Sequence, residues 1–281
     1  VVEVCRDLEK QGAAITYLPV DEFGMVDPVN VENAITPETV LISIMHANNE
    51  VGTIQPIEKI SEIAQRHQVL VHTDCAQSVG KIPVNVNDWG VDLLSIAGHK
   101  IYAPKGSGAL YIRKRVQVDQ LMFGAGQENG KRPGTENVIY SVALGEAFAM
   151  VGRDLKGYSN HMKAMRDRLE SRILSNIPGT RINGHPEQRL PNTSSLSFEG
   201  LKANEILDSF ETIAASAGAA CHSDSVTLSS VLVAMNVPID FAMGTIRFST
   251  GRHTTEEEID TAADEVCRVV DLLSQGSLAE A

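Results

Sequence analysis

Residues 40–74 read "VLISIMHANNEVGTIQPIEKISEIAQRHQVLVHTD". The run Val40–Ala47 is a buried strand pattern. "PIEKISEIAQRH" (56–67) places apolar residues at 57, 60, 63 and 64, one face of a helix, with Pro56 at its start. "VLVHTD" (69–74) is a second strand. Strand, helix, strand in about 35 residues is a crossover unit, which joins parallel strands. Working outward, "AAITYLPV" (13–20) reads as a strand and "VENAI" (31–35) as a short helix. "DLLSIAG" (92–98) and "GALYIRK" (108–114) read as two more strands. Helical patterns fill 137–175, and after Pro178 and Gly179 the texture changes. There "SSLSF", "IAASAG" and "TIRFS" read as strands, "ANEILDSF" and "SSVLVAM" as helices, and a long helix starts at Thr254 or Thr255. The expected architecture is α/β: a large domain over 1–156 with a mostly parallel sheet, and a smaller C-terminal α+β domain over 157–281.

The chain has 281 residues and a formal net charge of -12. An acidic balance argues against nucleic-acid binding, which needs a basic surface. No apolar run is long enough to span a membrane. Four cysteines (Cys5, Cys75, Cys221, Cys267) are scattered with no C-x-x-C pair, against a disulfide framework or a zinc knuckle. That usage suits a reducing compartment, and the expected setting is cytoplasmic, with an organelle as the alternative. The first residue is valine, and "VVEVCRDLEKQG" reads as mid-helix, as in part of a longer chain.

In parallel α/β sheets ligands collect at the carboxyl ends of strands. Four polar signals lie at such ends: "HANNE" (46–50), "HTDCAQ" (72–77), "GHK" (98–100) and "FGAGQENGKRPGTEN" (123–137). A lysine at a strand tip among small residues loses solvent and lowers its pKa, which suits Schiff-base chemistry. An aspartate on the neighbouring tip holds a pyridinium nitrogen protonated. Lys100 with Asp74 is therefore the pair that pyridoxal 5'-phosphate requires.

"HANNEVGTIQPI", "VHTDCAQSVGK", "AGHKIYAPKGSGALYIR", "RPGTEN", "GAACHS" and "IRFSTGRHTTEEEID" together resemble the cysteine desulfurase and selenocysteine lyase family. That resemblance implies a class V aminotransferase-like enzyme of PLP-dependent fold type I, the aspartate aminotransferase-like architecture, working as a homodimer. By the family pattern Lys100 is the Schiff-base lysine that also moves the Cα proton, and Asp74 faces the pyridine nitrogen. Gln77 donates to the phenolic oxygen, Asn48 contacts cofactor and substrate, and His99 meets the phosphate. Thr135 reaches the phosphate of the other subunit. Arg247 pairs with the substrate carboxylate, which a planar fork does well. Cys221 is the nucleophile, and its small-residue setting suits a mobile loop. The implied reaction takes sulfur from L-cysteine, leaving L-alanine and a persulfide on Cys221. A sulfur-acceptor protein then uses the persulfide for iron–sulfur cluster assembly or tRNA thiolation.

Two departures from the family pattern stand out. Ala97 occupies a position where relatives carry a phosphate-binding serine. The family's Gly/Thr-rich phosphate loop and ring-stacking histidine match positions upstream of Val1, so part of the cofactor pocket is expected to fall outside this sequence. Two other readings remain open: a selenocysteine lyase, to which "GAACHSD" is equally similar, and a non-catalytic subunit or binding module. Cys5, Cys75 and Cys267 read as inert buried thiols. Arg252 and Arg132 are secondary site candidates, and His46, His67, His161, His185, His222 and His253 read as structural, with His222 placed to tune Cys221.

Overall fold

The computed structural model describes residues 1–222 and 225–279, with side chains left out for 219–227 and 276–281. The helix Ile57–Arg66 buries Ile57, Ile60, Ile63 and Ala64 on one face. It carries the chain from β1 (Leu41–Met45) to β2 (Leu70–Asp74), which run parallel with Met45 opposite Asp74. β3 (Leu93–Ala97) joins β2 in parallel and sets Ser95 opposite Asp74. β4 (Gly108–Ile112) returns antiparallel to β3, giving the order β1-β2-β3-β4. The sheet is mixed and mostly parallel. An antiparallel partner needs only a short return. The segment 98–107 makes that return, so Lys100 sits on a tight strand exit and not in a long crossover.

Residues 13–20, expected as a strand, form none. Their apolar residues pack without pairing: Leu18 and Val20 are half-buried against Val26, Val31, Ile42 and Val71. Burial alone produces the spacing that sequence reading takes for a strand; a ladder also needs a neighbouring backbone, and β1 meets only β2 among the described residues.

Downstream lie β5 (Arg181–Asn183), β6 (Thr193–Ser197), β7 (Ser216–Ala217), β8 (Ala219–His222), β9 (Ser225–Leu228) and β10 (Thr245–Ser249). β5, β6, β10 and β7 form an antiparallel sheet in that order, and β8 pairs β9 as a separate hairpin. The helices Leu155–Asn176 and Glu256–Ala279 cover this sheet. Met165, Leu169 and Ile173 from the first, and Ile259, Val266 and Val269 from the second, enclose Leu196, Phe198 and Ile246. The two helices are also stitched by charge. Arg168 makes a bidentate pair with Asp260 at 2.7 Å, and Arg172 adds a contact to it at 2.8 Å. Those guanidinium bonds, Arg168 first, hold the Asp260 carboxyl down at about 2. Thr255 and Glu258 cap the C-terminal helix reciprocally, Thr255 N to Glu258 Oε2 at 2.8 Å and Glu258 N to Thr255 Oγ1 at 3.2 Å.

The helix Val138–Arg153 packs Leu144 and Ala147 on the first sheet, whereas Leu155–Asn176 serves the second. Asp154 caps the second helix by accepting from Gly157 N at 2.9 Å. The change of core falls at Asp154, just before the division at 156/157 that we propose. Among the described residues no helix is long and apolar enough to cross a membrane.

Candidate active site

Two turns at neighbouring strand tips build one wall of a cleft. β2 ends at Asp74, whose Oδ1 accepts from Ala76 N at 2.8 Å, and the chain then turns through Cys75–Ile82. β3 ends at Ala97 and enters the 3-10 turn Gly98–Ile101. The two turns touch at Gly80, which has φ +81°; a Cβ there would stand 2.6 Å from Ile101 Cγ2. Only glycine allows that approach. The second turn closes at Tyr102 in a left-handed conformation, φ +68°.

The opposite wall comes from the second sheet. Arg247 on β10 donates to Asn49 O at 3.0 Å and to Ser216 Oγ at 2.9 Å. Arg252 lays its guanidinium 4.2 Å from the centroid of the Tyr102 ring, and its backbone N–H donates to the Tyr102 hydroxyl at 3.1 Å. The open cleft between the two walls has a volume of about 220 Å³, and Gln77, Lys81, His99, Lys100, Arg247 and Arg252 all line it. The predicted residues Gln77, His99, Lys100 and Arg247 thus meet in one space, though they come from distant parts of the chain.

The remaining predicted residues fall elsewhere. Asp74 lies half-buried at the tip of β2 and is not among the residues lining the cleft. Asn48 is buried, and its Oδ1 accepts from Glu50 N at 2.8 Å and Val51 N at 3.0 Å, so that side chain holds its own turn. Its neighbour Asn49 lines the cleft instead. Thr135 is exposed on the segment before the helix Val138–Arg153. The backbone of Cys221 pairs with Val226 in the β8–β9 hairpin, where sequence reading expected a loop; Ala219 and Ala220 before it accept extended pairing as readily as a coil. The side chains of Cys221 and His222 lie outside the described residues. Arg132 stands away from the cleft and pairs with Glu128 at 3.6 Å.

One expectation is reversed. Lys100 was to be the desolvated lysine, yet it is exposed, while Lys81 is only 8% exposed. Burial first, and then the charges of Lys100 and Arg247, pull the Lys81 ammonium down to about 8. Lys81 and Asn49 were not singled out from sequence. The usable signal for Lys81 was its position four residues after Gln77, between Gly80 and Ile82. Asn49 carried none, since nothing in "HANNE" distinguishes its two asparagines.

The thiols sort by burial. Cys75 is fully buried, and desolvation pushes it up to about 12. We expect Cys75 to resist a thiol reagent at pH 8 in the folded protein and to react only on unfolding. Mass mapping of the alkylated residues checks this; rapid labelling of Cys75 would contradict it. Cys5 and Cys267 are half-buried, short of the full burial expected of them. His46, buried against Trp89 with ring centroids 4.3 Å apart, is driven down to about 4 and stays neutral.

Residues 2–261 match the aminotransferase class-V family model. The chain belongs to that family. Among curated class-V relatives, "Cysteine desulfurase IscS" of Dictyoglomus turgidum is 45% identical over 275 residues, covering 97% of this chain and 70% of the relative. The mouse protein named "Cysteine desulfurase" is 42% identical, covering 99% of this chain and 61% of its own length. Among solved structures, a "NIFS-LIKE PROTEIN" superposes with a TM-score of 0.88 at 36% identity, over 98% of this chain and 72% of that one. "SspA in complex with cysteine" gives a TM-score of 0.75 at 35% identity, over 91% and 71%. The fold is thus that of PLP-dependent fold type I enzymes.

Class-V enzymes depend in general on pyridoxal phosphate, and the residues here suit such a group. The cleft carries amide, imidazole, ammonium and guanidinium donors, which fit a phosphate and a carboxylate. Arg247 Nε is buried without a hydrogen-bond partner among the described residues, an unmet donor on the cleft wall.

Proposed function

We propose that this class-V protein is a cysteine desulfurase that uses pyridoxal phosphate to convert L-cysteine to L-alanine and a persulfide on Cys221. One observation carries the reading: Lys100, Gln77, His99 and Arg247 converge on one cleft from both sheets. Bound there, the cofactor would supply an electron sink for chemistry at the substrate Cα. Lys100, held on the 3-10 turn after β3, reaches the cleft to accept and return the Cα proton. Asp74, at the tip of β2, would hold the cofactor nitrogen, while Gln77 and His99 would donate to its phenolic and phosphate oxygens. Arg247 is braced by Asn49 and Ser216 and offers its remaining donors to the substrate carboxylate. The Cys221 thiolate attacks the substrate sulfur. The substrate C–S bond breaks, an S–S bond forms, and Cβ takes a proton to become the methyl of alanine.

The partners follow from the same reading. A persulfide needs an acceptor protein, serving iron–sulfur assembly or tRNA thiolation. A second copy of the chain would cover Leu121, Phe123 and Ile139, which are 92%, 84% and 78% exposed beside Thr135. The Thr135 hydroxyl would then reach the partner's phosphate site. A thiolate nucleophile suits a reducing compartment, and we assign the cytoplasm.

The test is persulfide transfer. With L-cysteine and an acceptor thiol protein, the wild type forms alanine and passes on sulfur. Cys221→Ala loses transfer by at least about a hundredfold, the scale of removing a covalent step. Transfer retained in Cys221→Ala would assign the sulfur to another thiol. Turnover confined to selenocysteine would replace the desulfurase reading with that of a lyase.

A further inference from the structure

Lys81 takes no part in the chemistry proposed above, yet the fold buries its ammonium beside the cleft. Burying a charge is costly, and methionine would fill the same space without it. Its surroundings indicate what the charge does. Lys81 Nζ donates to Gln77 O at 2.9 Å and to Gln77 Oε1 at 3.0 Å. Lys81 and Gln77 both line the cleft. An ammonium has donors and no acceptor, so the Gln77 atom that faces it must be the oxygen. The amide nitrogen is thereby directed away from Lys81. Gln77 Nε2 makes no hydrogen bond to any described residue, so its N–H groups are free for whatever occupies the cleft.

We propose that Lys81 is a positioning residue: its ammonium fixes the Gln77 amide with oxygen held and nitrogen presented, giving the cleft one donor of set orientation. Without Lys81 either end of the amide can turn inward, and in one of the two orientations an acceptor oxygen faces an anionic oxygen of the ligand. The donor's target rests on the cofactor reading; the locking of the amide does not.

The experiment has two arms. In the first, wild-type protein without cofactor is labelled with 15N-glutamine and titrated by NMR from pH 6 to 10. The Gln77 side-chain amide signals should move with a midpoint near 8, where Lys81 gives up its proton. Static signals across that range would overturn the proposal. In the second arm, pyridoxal-phosphate-loaded wild type, Lys81→Met, Gln77→Ala and the double variant are compared by visible absorption against pH. Each single variant should displace the pH midpoint of the absorption change in the same direction by about one unit, the scale of one hydrogen bond to a charged group. The double variant should move no further than the larger single. Additive displacements, or a folded Lys81→Met with the wild-type midpoint, would overturn the proposal. Lys81→Arg keeps a donor and should restore the midpoint; Lys81→Leu replaces Lys81→Met if that variant fails a circular-dichroism check of folding. A wild type that takes up no cofactor would count against the cofactor reading alone, and the first arm would still decide the orientation of the amide.

Discussion

Lys100→Ala should abolish alanine formation from L-cysteine while leaving the protein folded. Lys100 is exposed on the cleft side of the Gly98–Ile101 turn, so truncating it removes little packing. Loss of a positioned proton carrier alone costs about a hundred- to ten-thousand-fold. Loss of the covalent tether to the cofactor adds to this. Borohydride reduction followed by peptide mapping should attach the cofactor to Lys100 in the wild type and to no lysine in the variant. Lys100→Arg should fail equally, because a guanidinium stays protonated and cannot form the Schiff base. If borohydride instead marked Lys81, the two lysines would have to exchange roles, and the turn after β2 would be the catalytic one. Their proximity makes that outcome worth reading out directly.

Glu170→Ala should produce the largest loss of stability outside the hydrophobic core. Glu170 and Arg189 form a buried bidentate pair at 2.6 and 2.7 Å, with side-chain exposures of 7% and 8%. Arg189 Nε already lacks a partner among the described residues. Removing the carboxylate strands a buried charge, which costs about 3–5 kcal/mol. At this chain length the melting temperature should fall on the order of 10 °C. The pair also matters to the site. Arg189 bridges to Thr53, on the segment that leaves β1 and passes through Asn49. Destabilisation should therefore loosen the carbonyl that braces Arg247, and KM for cysteine should rise together with the loss of stability. Replacing both residues by leucine and methionine should recover much of the stability. A melting temperature within about 2 °C of wild type for Glu170→Ala would show that water reaches Arg189 and solvates its charge.

The strand–helix–strand unit at 40–74 is legible because hydrophobic periodicity is local. The apolar face of Ile57–Arg66 can be read without knowing what it covers. The capping pair Thr255 and Glu258 is legible for the same reason, since both partners lie within one turn. Residues 13–20 were misread because burial and pairing leave the same local pattern. The strand tips carrying Asp74, Gln77, His99 and Lys100 were visible as polar breaks after apolar runs.

What the sequence determined by itself is the parallel crossover, because hydrophobic periodicity is short-range. The proposed catalytic residues were offered by the resemblance to a known family, with Lys100 and Asp74 also marked by their places at strand tips. Only the tertiary structure decided which lysine is buried and which is open, and which of two adjacent asparagines meets the cleft. Lys81 is shielded because Gly80 lets its turn pack against Ile101. Arg247 is braced by a carbonyl 198 residues away in sequence. Desolvation and electrostatic coupling depend on neighbours brought together in space, and no local pattern records those.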